Sequence, residues 1–133
     1  LLGAVLASLF LFLSFKTNKT MGETMILEDN LVQCFILEFL STFILMFVIL
    51  NVSTESRKKR IVASFLIGSV VFLASIFVGP ITGASMNPAR TIGPAVFGES
   101  SYLWVYLIST ILGSISSVYV YKMSKLISFK RKV

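Results

Sequence analysis

The chain has 133 residues, of which 56% are hydrophobic, and its formal net charge is +6. A mean hydropathy of +0.89 excludes an ordinary soluble domain and predicts a protein that crosses a membrane several times. The sequence has no histidine and one cysteine, Cys34. We therefore expect no histidine-based metal site, no cofactor and no disulfide framework, and the chain lacks the nucleophile–base pair of an enzyme.

Four apolar segments predict transmembrane helices, because lipid leaves no backbone polar group unpaired. They are residues 1–15, 31–50, 61–78 and 102–121. A helix needs about 20 residues to cross the hydrocarbon core. The last three segments therefore predict full spans, and the first predicts the remaining part of one. Because the sequence opens inside an apolar run without an initiator Met, we expect a partial or truncated chain of an all-α membrane protein.

Basic residues collect on one side of the predicted topology. Four of the twelve Lys and Arg lie at residues 57–60, and five more lie in a basic tail at residues 122–133. Short Lys/Arg-rich loops are typical of the cytoplasmic side, so we predict a cytoplasmic C-terminus. The tail then serves as an anchor near anionic lipid. This placement favours membrane lipid over nucleic acid as the partner of the positive charge.

Residues 79–98 are too broken to form a span and too apolar for a solvated loop. Asn87 is a helix N-cap residue type and Pro88 suits the first helical position, so a short helix is predicted from there to about Phe97. Pro94 interrupts its hydrogen bonding. Irregular backbone at membrane depth is tolerated only inside protein or against water. The segment is therefore predicted to re-enter the membrane and to line a cavity.

The charged side chains of Arg90 and Glu38 lie in unusual places for a membrane protein. Asn87 and Arg90 share one face of the predicted short helix, whose positive end repels cations and suits small neutral solutes. A simple helix cap with an Arg that reaches the interface is the alternative, and spacing leaves both open. Glu38 is the only acid inside a span. It either relays protons or accepts backbone N–H bonds from the re-entrant segment.

The sequence TGASMNPARTIGPA at residues 82–95 resembles the second Asn-Pro-Ala signature of the major intrinsic proteins, the aquaporin family. Gln33, Glu38 and Thr42 resemble the fourth span of that family. The longer stretch FVGPITGASMNPARTIGPA is most similar to its nodulin-like plant members. The resemblance covers essentially the whole chain, and it implies the second repeat of a six-span fold with one re-entrant half-helix.

The resemblance also implies roles for individual residues. Ser75 and Ala84 are two positions of the implied selectivity filter, and water-selective members have His at the first of them. The small side chains here imply a wider pore constriction than His would leave. The pore motif is Asn87, Pro88 and Ala89; the selectivity filter includes Arg90, Ser75 and Ala84; and the loop supports are Glu38 and Gln33.

These observations predict a passive channel for water, for small uncharged solutes such as glycerol or metalloid acids, or for both. Thr91 and Ala95 resemble the water-channel branch instead, so the solute stays open. The resemblance implies a homo-tetramer in the plasma membrane or an endomembrane. The alternative is a truncated, non-conducting membrane protein that associates with full-length channel subunits.

Overall fold

Helices are the only regular elements in the part of the chain that the computed structural model describes, which is residues 1–15, 22–26, 30–53, 60–98 and 102–130. The predicted all-α membrane class is confirmed. In chain order the helices are α1 (Leu2–Ser14), α2 (Leu31–Val52), α3 (Arg60–Phe77), α4 (Gly79–Thr82), α5 (Pro88–Ala95) and α6 (Leu103–Lys130).

Three of these helices are long and apolar enough to cross a membrane: α2, α3 and α6, the last over Leu103–Ser128. Helix α1 is shorter. Helix α6 has 28 residues and continues beyond the predicted end of its span at residue 121. No Gly or Pro follows that position to stop it. Lys122 and Lys125 therefore lie on the same helix as the span, whereas residues 57–59 and 131–133 of the basic regions lie outside the described residues.

Helices α2 and α6 form the central pair and run in the same direction. Cys34 packs against Val105 and Tyr106. Further along both helices, the Cα of Gly113 faces the α2 backbone at Phe39 and Phe43. The two contacts have nearly the same offset in sequence, as a parallel pair requires. The two helices therefore begin at one level and point the same way.

The shorter helices pack around this pair through small residues. A Cβ at Gly93 in α5 would lie 2.8 Å from the Ala4 backbone, so α5 lies directly against α1. Helix α3 buries only Ala74 among its 18 residues. Its many exposed apolar side chains suit a lipid environment.

We expect Gly113→Ala to destabilise the α2–α6 pair, because its Cβ would lie 2.5 Å from the Phe39 carbonyl oxygen and 3.2 Å from the Phe43 nitrogen. Forcing an extra methyl group into such a contact costs about 1–3 kcal/mol. Thermal unfolding in detergent, followed by the fluorescence of Trp104, measures the loss. Gly68→Ala is the matched control, since a Cβ there meets nothing within 4 Å. Equal melting of both variants would contradict the prediction.

Candidate functional site

The connection between α4 and α5 has an unusual backbone. Gly83 ends α4 in the left-handed conformation with φ of 80°. Ala84 and Met86 also have positive φ, at 44° and 49°. Residues with a Cβ avoid this region, so such a loop persists only when its surroundings hold it.

The Glu38 carboxylate supplies most of this support. Its Oε1 accepts the Ser85 backbone N–H at 2.8 Å and the Thr82 hydroxyl at 2.6 Å. Its Oε2 accepts the Met86 backbone N–H at 2.8 Å. Glu38 is 0% exposed. Two roles are predicted for Glu38, proton relay and support of the loop. The hydrogen bonds seen here are those that loop support requires.

The hydroxyl groups of three residues complete the hydrogen bonding of the loop. The Ala84 N–H donates to the Thr82 hydroxyl oxygen at 3.2 Å, and the Asn87 N–H donates to the Ser85 hydroxyl oxygen at 3.4 Å. Tyr106 on α6 donates its hydroxyl to the Thr82 carbonyl at 2.7 Å. Together with Glu38, these contacts give four consecutive backbone N–H groups a side-chain acceptor. The loop therefore needs no water to satisfy its donors.

Helix α5 begins as the sequence predicts. Asn87 is its N-cap and accepts the Ala89 N–H on Oδ1 at 3.0 Å, and Pro88 occupies the first turn. The helix ends at Ala95, slightly before the predicted Phe97, with Pro94 inside it. The Asn87 side chain is exposed, and the cap bond uses only its oxygen. Its NH₂ group therefore remains available to a solute.

A cleft of about 500 Å³ lies on one side of Asn87. Asn87, Ala89 and Arg90 line it from α5, and small residues of α1 face them. The Arg90 Nη1 donates to the carbonyl oxygen of Gly22 at 2.5 Å. The α1 lining includes Gly3, Ala4, Ala7 and Ser8.

A second cavity, of about 290 Å³, lies between α2 and α6. Asn87 and Pro88 line it together with the hydroxyl-bearing residues Thr42, Thr110 and Ser114. Among the described residues, Asn87 alone belongs to the linings of both cavities. Asn87 thus borders both spaces.

Ser75 and Ala84, the two other predicted filter residues, do not line the cleft that Arg90 lines. Ser75 is exposed on α3 and donates its hydroxyl to its own helix at the Val71 carbonyl, 2.8 Å away. Ala84 is buried in a cluster with Ala74 and Met86. Their filter role stays a prediction.

Gln33 lies exposed in the first turn of α2, and its backbone N–H donates to the Asn30 cap. The described hydrogen bonds of the Glu38 carboxylate come from the loop. Sequence reasoning missed Thr82, Tyr106 and Gly22. Tyr106 is an ordinary span residue by sequence, Thr82 lies in the re-entrant segment with no role of its own in the sequence argument, and no local signal distinguishes Gly22.

Residues 1–121 match the family model described as major intrinsic protein. The chain belongs to the major intrinsic protein family. This confirms the resemblance found in the sequence, and with its apolar helices it makes the chain an integral, multi-pass membrane protein.

Curated relatives carry names from the nodulin-like group. The chain is 44% identical to Nodulin-26 of Glycine max over 122 residues, which are 91% of this chain and 45% of that protein. It is 47% identical to Aquaporin NIP1-2 of Arabidopsis thaliana over 92 residues, or 68% of this chain and 31% of the relative. Aquaporin NIP1-1 of Zea mays is 38% identical over 124 residues, 92% of this chain and 44% of its own length. The chain thus spans less than half the length of these relatives.

We expect Glu38→Gln to loosen the loop, because an amide offers one acceptor oxygen where the carboxylate offers two. One buried loop N–H then faces an NH₂ group, which costs about 1–3 kcal/mol. Hydrogen exchange at the Ser85 and Met86 amides and thermal unfolding in detergent report the change. Thr42→Val on the same helix is the control. It removes a buried hydroxyl that donates to the Glu38 backbone carbonyl, and every loop N–H keeps its acceptor. Unchanged exchange at both amides in Glu38→Gln would show that other contacts hold the loop.

Proposed function

We propose that the chain supplies one half of a passive channel for water and small uncharged solutes. The observation that carries this proposal is the position of Asn87, an exposed residue that borders both cavities. A solute that passes from one cavity to the other meets its NH₂ donors. The family membership and the names of the relatives agree with this function.

The charges around the cleft favour neutral solutes. The start of α5 carries about half a positive charge, and Arg90 adds a full one on the same cleft. Both oppose the entry of protons and metal cations, whereas a hydroxylated solute can accept their hydrogen bonds. The site thus selects against charge by electrostatics and for polarity by its donors.

The filter residues Ser75, Ala84 and Arg90 enter the proposal from the family resemblance. Small side chains at the first two leave a wider opening than His would. We therefore propose glycerol-sized solutes and undissociated metalloid acids as substrates besides water. The C-terminus is proposed to be cytoplasmic and held by anionic lipid. Homo-tetrameric assembly is proposed from the resemblance alone.

A chimera tests this function directly. Residues 1–121 replace the matched region of Nodulin-26, and swelling of vesicles in water and glycerol gradients measures permeability. We expect both permeabilities to exceed those of protein-free vesicles. Ser75→His should lower glycerol permeability more than water permeability, because the larger ring narrows the opening. Ser69→His is the control, since Ser69 makes the same hydroxyl bond to its own helix, at the Phe65 carbonyl. Swelling no faster than in protein-free vesicles would refute the proposal.

Reconstitution of the 133-residue chain by itself tests the alternative function, that of a non-conducting protein that associates with channel subunits. We expect little swelling from vesicles that contain it alone, because the described walls of the cleft come only from α1, α5 and residue 22. Co-reconstitution with complete Nodulin-26 provides the second measurement. A dose-dependent change in the swelling of those vesicles would favour a non-conducting partner of channel subunits, and no change would favour a channel half.

A further inference from the structure

Two of the five methionines of the chain line the second cavity, the one between α2 and α6. Met46 comes from α2, and Met86 directly precedes Asn87 in the loop. Met86 is 8% exposed and packs against Ala74 and Ala84. Its described hydrogen bond uses the backbone N–H alone, so the thioether has no part in holding the loop. The two thioethers are therefore reactive groups beside the cavity that the channel proposal does not use.

The polar groups of this cavity suit a small neutral solute that has both donors and acceptors. Thr42, Thr110 and Ser114 each donate their hydroxyl hydrogen to a carbonyl of their own helix, at 2.7, 2.6 and 2.8 Å. Their oxygens therefore keep lone pairs for a donor, and Asn87 has NH₂ hydrogens that its cap bond does not use. None of the described lining residues is charged. An ion that entered would lose hydration without gaining an opposite charge, whereas a neutral hydroperoxide would find partners for its O–H groups and its oxygens.

We propose that Met46 and Met86 form an oxidation site for hydrogen peroxide. A lone pair of the thioether sulfur attacks one peroxide oxygen, and the O–O bond breaks. The proton on the attacked oxygen moves to the departing hydroxide. The products are one methionine sulfoxide and one water, so the sulfur loses two electrons and the peroxide gains them.

Sulfoxide formation changes the cavity in two ways. It replaces an apolar group with a polar S=O group that accepts hydrogen bonds. The added oxygen takes up part of a space of about 290 Å³, and it competes with solutes for the NH₂ donors of Asn87, which lines the same space. Oxidised protein should therefore conduct less. This effect on conduction rests on the proposed function, whereas the oxidation itself does not.

The charge of the oxidant separates this site from simple exposure. The 133-residue chain in lipid vesicles is treated with neutral hydrogen peroxide or with anionic peroxymonosulfate, and peptide mass spectrometry measures the sulfoxide at each methionine. Met25 and Met123 are 61% and 41% exposed and lie outside the cavity lining, so both oxidants should modify them. With peroxide, the rates at Met46 and Met86 should lie within roughly tenfold of the Met25 rate, and with the anion they should fall roughly tenfold further.

Two results of this comparison would overturn the inference. One is the absence of sulfoxide at either Met46 or Met86 after peroxide has converted Met25. The other is the same pattern of modification with both oxidants, because the cavity would then not select a neutral oxidant.

Filling the cavity tests the location of the reaction. Ser114→Phe places a ring on the cavity wall and should lower peroxide oxidation of Met46 and Met86 by roughly tenfold relative to Met25. Ser124→Phe is the matched control, because Ser124 makes the same hydroxyl bond to a carbonyl three residues back, at 2.8 Å, and does not line the cavity. No protection in Ser114→Phe, or equal protection in the two variants, would overturn the inference. If Ser114→Phe does not fold, the oxidant comparison on the unsubstituted chain decides.

The effect on conduction is measured in the chimera with Nodulin-26. Peroxide should lower the swelling rate at least roughly twofold, and joint Met46→Leu and Met86→Leu substitution, which keeps the side-chain volume, should remove that effect. Unchanged swelling of a chimera in which both residues are oxidised would overturn the proposed block. A chimera that fails to swell before any treatment, combined with the expected oxidation pattern, would instead refute the proposed function and leave the oxidation site standing.

Discussion

The structure depends on the carboxylate of Glu38. A loop with two left-handed residues that carry a Cβ, and with four N–H groups outside any helix, is unfavourable inside a membrane. Glu38 meets two of those N–H groups directly and a third through Thr82. A buried acid, which is costly in lipid, is stable here because both of its oxygens are hydrogen bonded. Glu38 thus holds the loop from α2, and the Tyr106 hydroxyl on α6 holds it at the Thr82 carbonyl.

The helix pair explains how the loop is held from two directions. Because α2 and α6 run parallel and begin at one level, Glu38 and Tyr106 both reach the same loop. Gly113 lets the two backbones approach closely enough to keep that arrangement. The carboxylate and the phenol then bind opposite ends of Thr82, its hydroxyl and its carbonyl. Support for the loop is therefore a property of the pair and not of either helix.

The chemistry of the site follows from that support. Because the loop is fixed, Asn87 caps α5 with its oxygen, and the residue borders both cavities. Arg90, one turn further, is held from the opposite wall by the Gly22 carbonyl. A polar donor and a cation on the same cleft suit the proposed channel for uncharged polar solutes. Small residues on α1 line the cleft opposite them.

Much of the fold could be predicted because its signals are local. Apolar runs of about 20 residues predict spans, and Asn87-Pro88 predicts a helix start from the chemistry of those two residues alone. The continuation of α6 to Lys130 was missed because hydropathy ends at the membrane surface while helical hydrogen bonding does not. A resemblance in the motif supplied the roles of Ser75 and Ala84. The described cleft does not include either residue.

The sequence by itself determined the three full-length apolar helices and the type of helix end at Asn87. Each of these depends on residues close together in the chain. Only the tertiary structure decided that Glu38 binds the N–H groups of Ser85 and Met86, and that Arg90 binds Gly22, which is 68 positions away. Such contacts join elements distant in sequence, and their existence depends on the parallel packing of α2 and α6 and on backbone angles that no local pattern encodes.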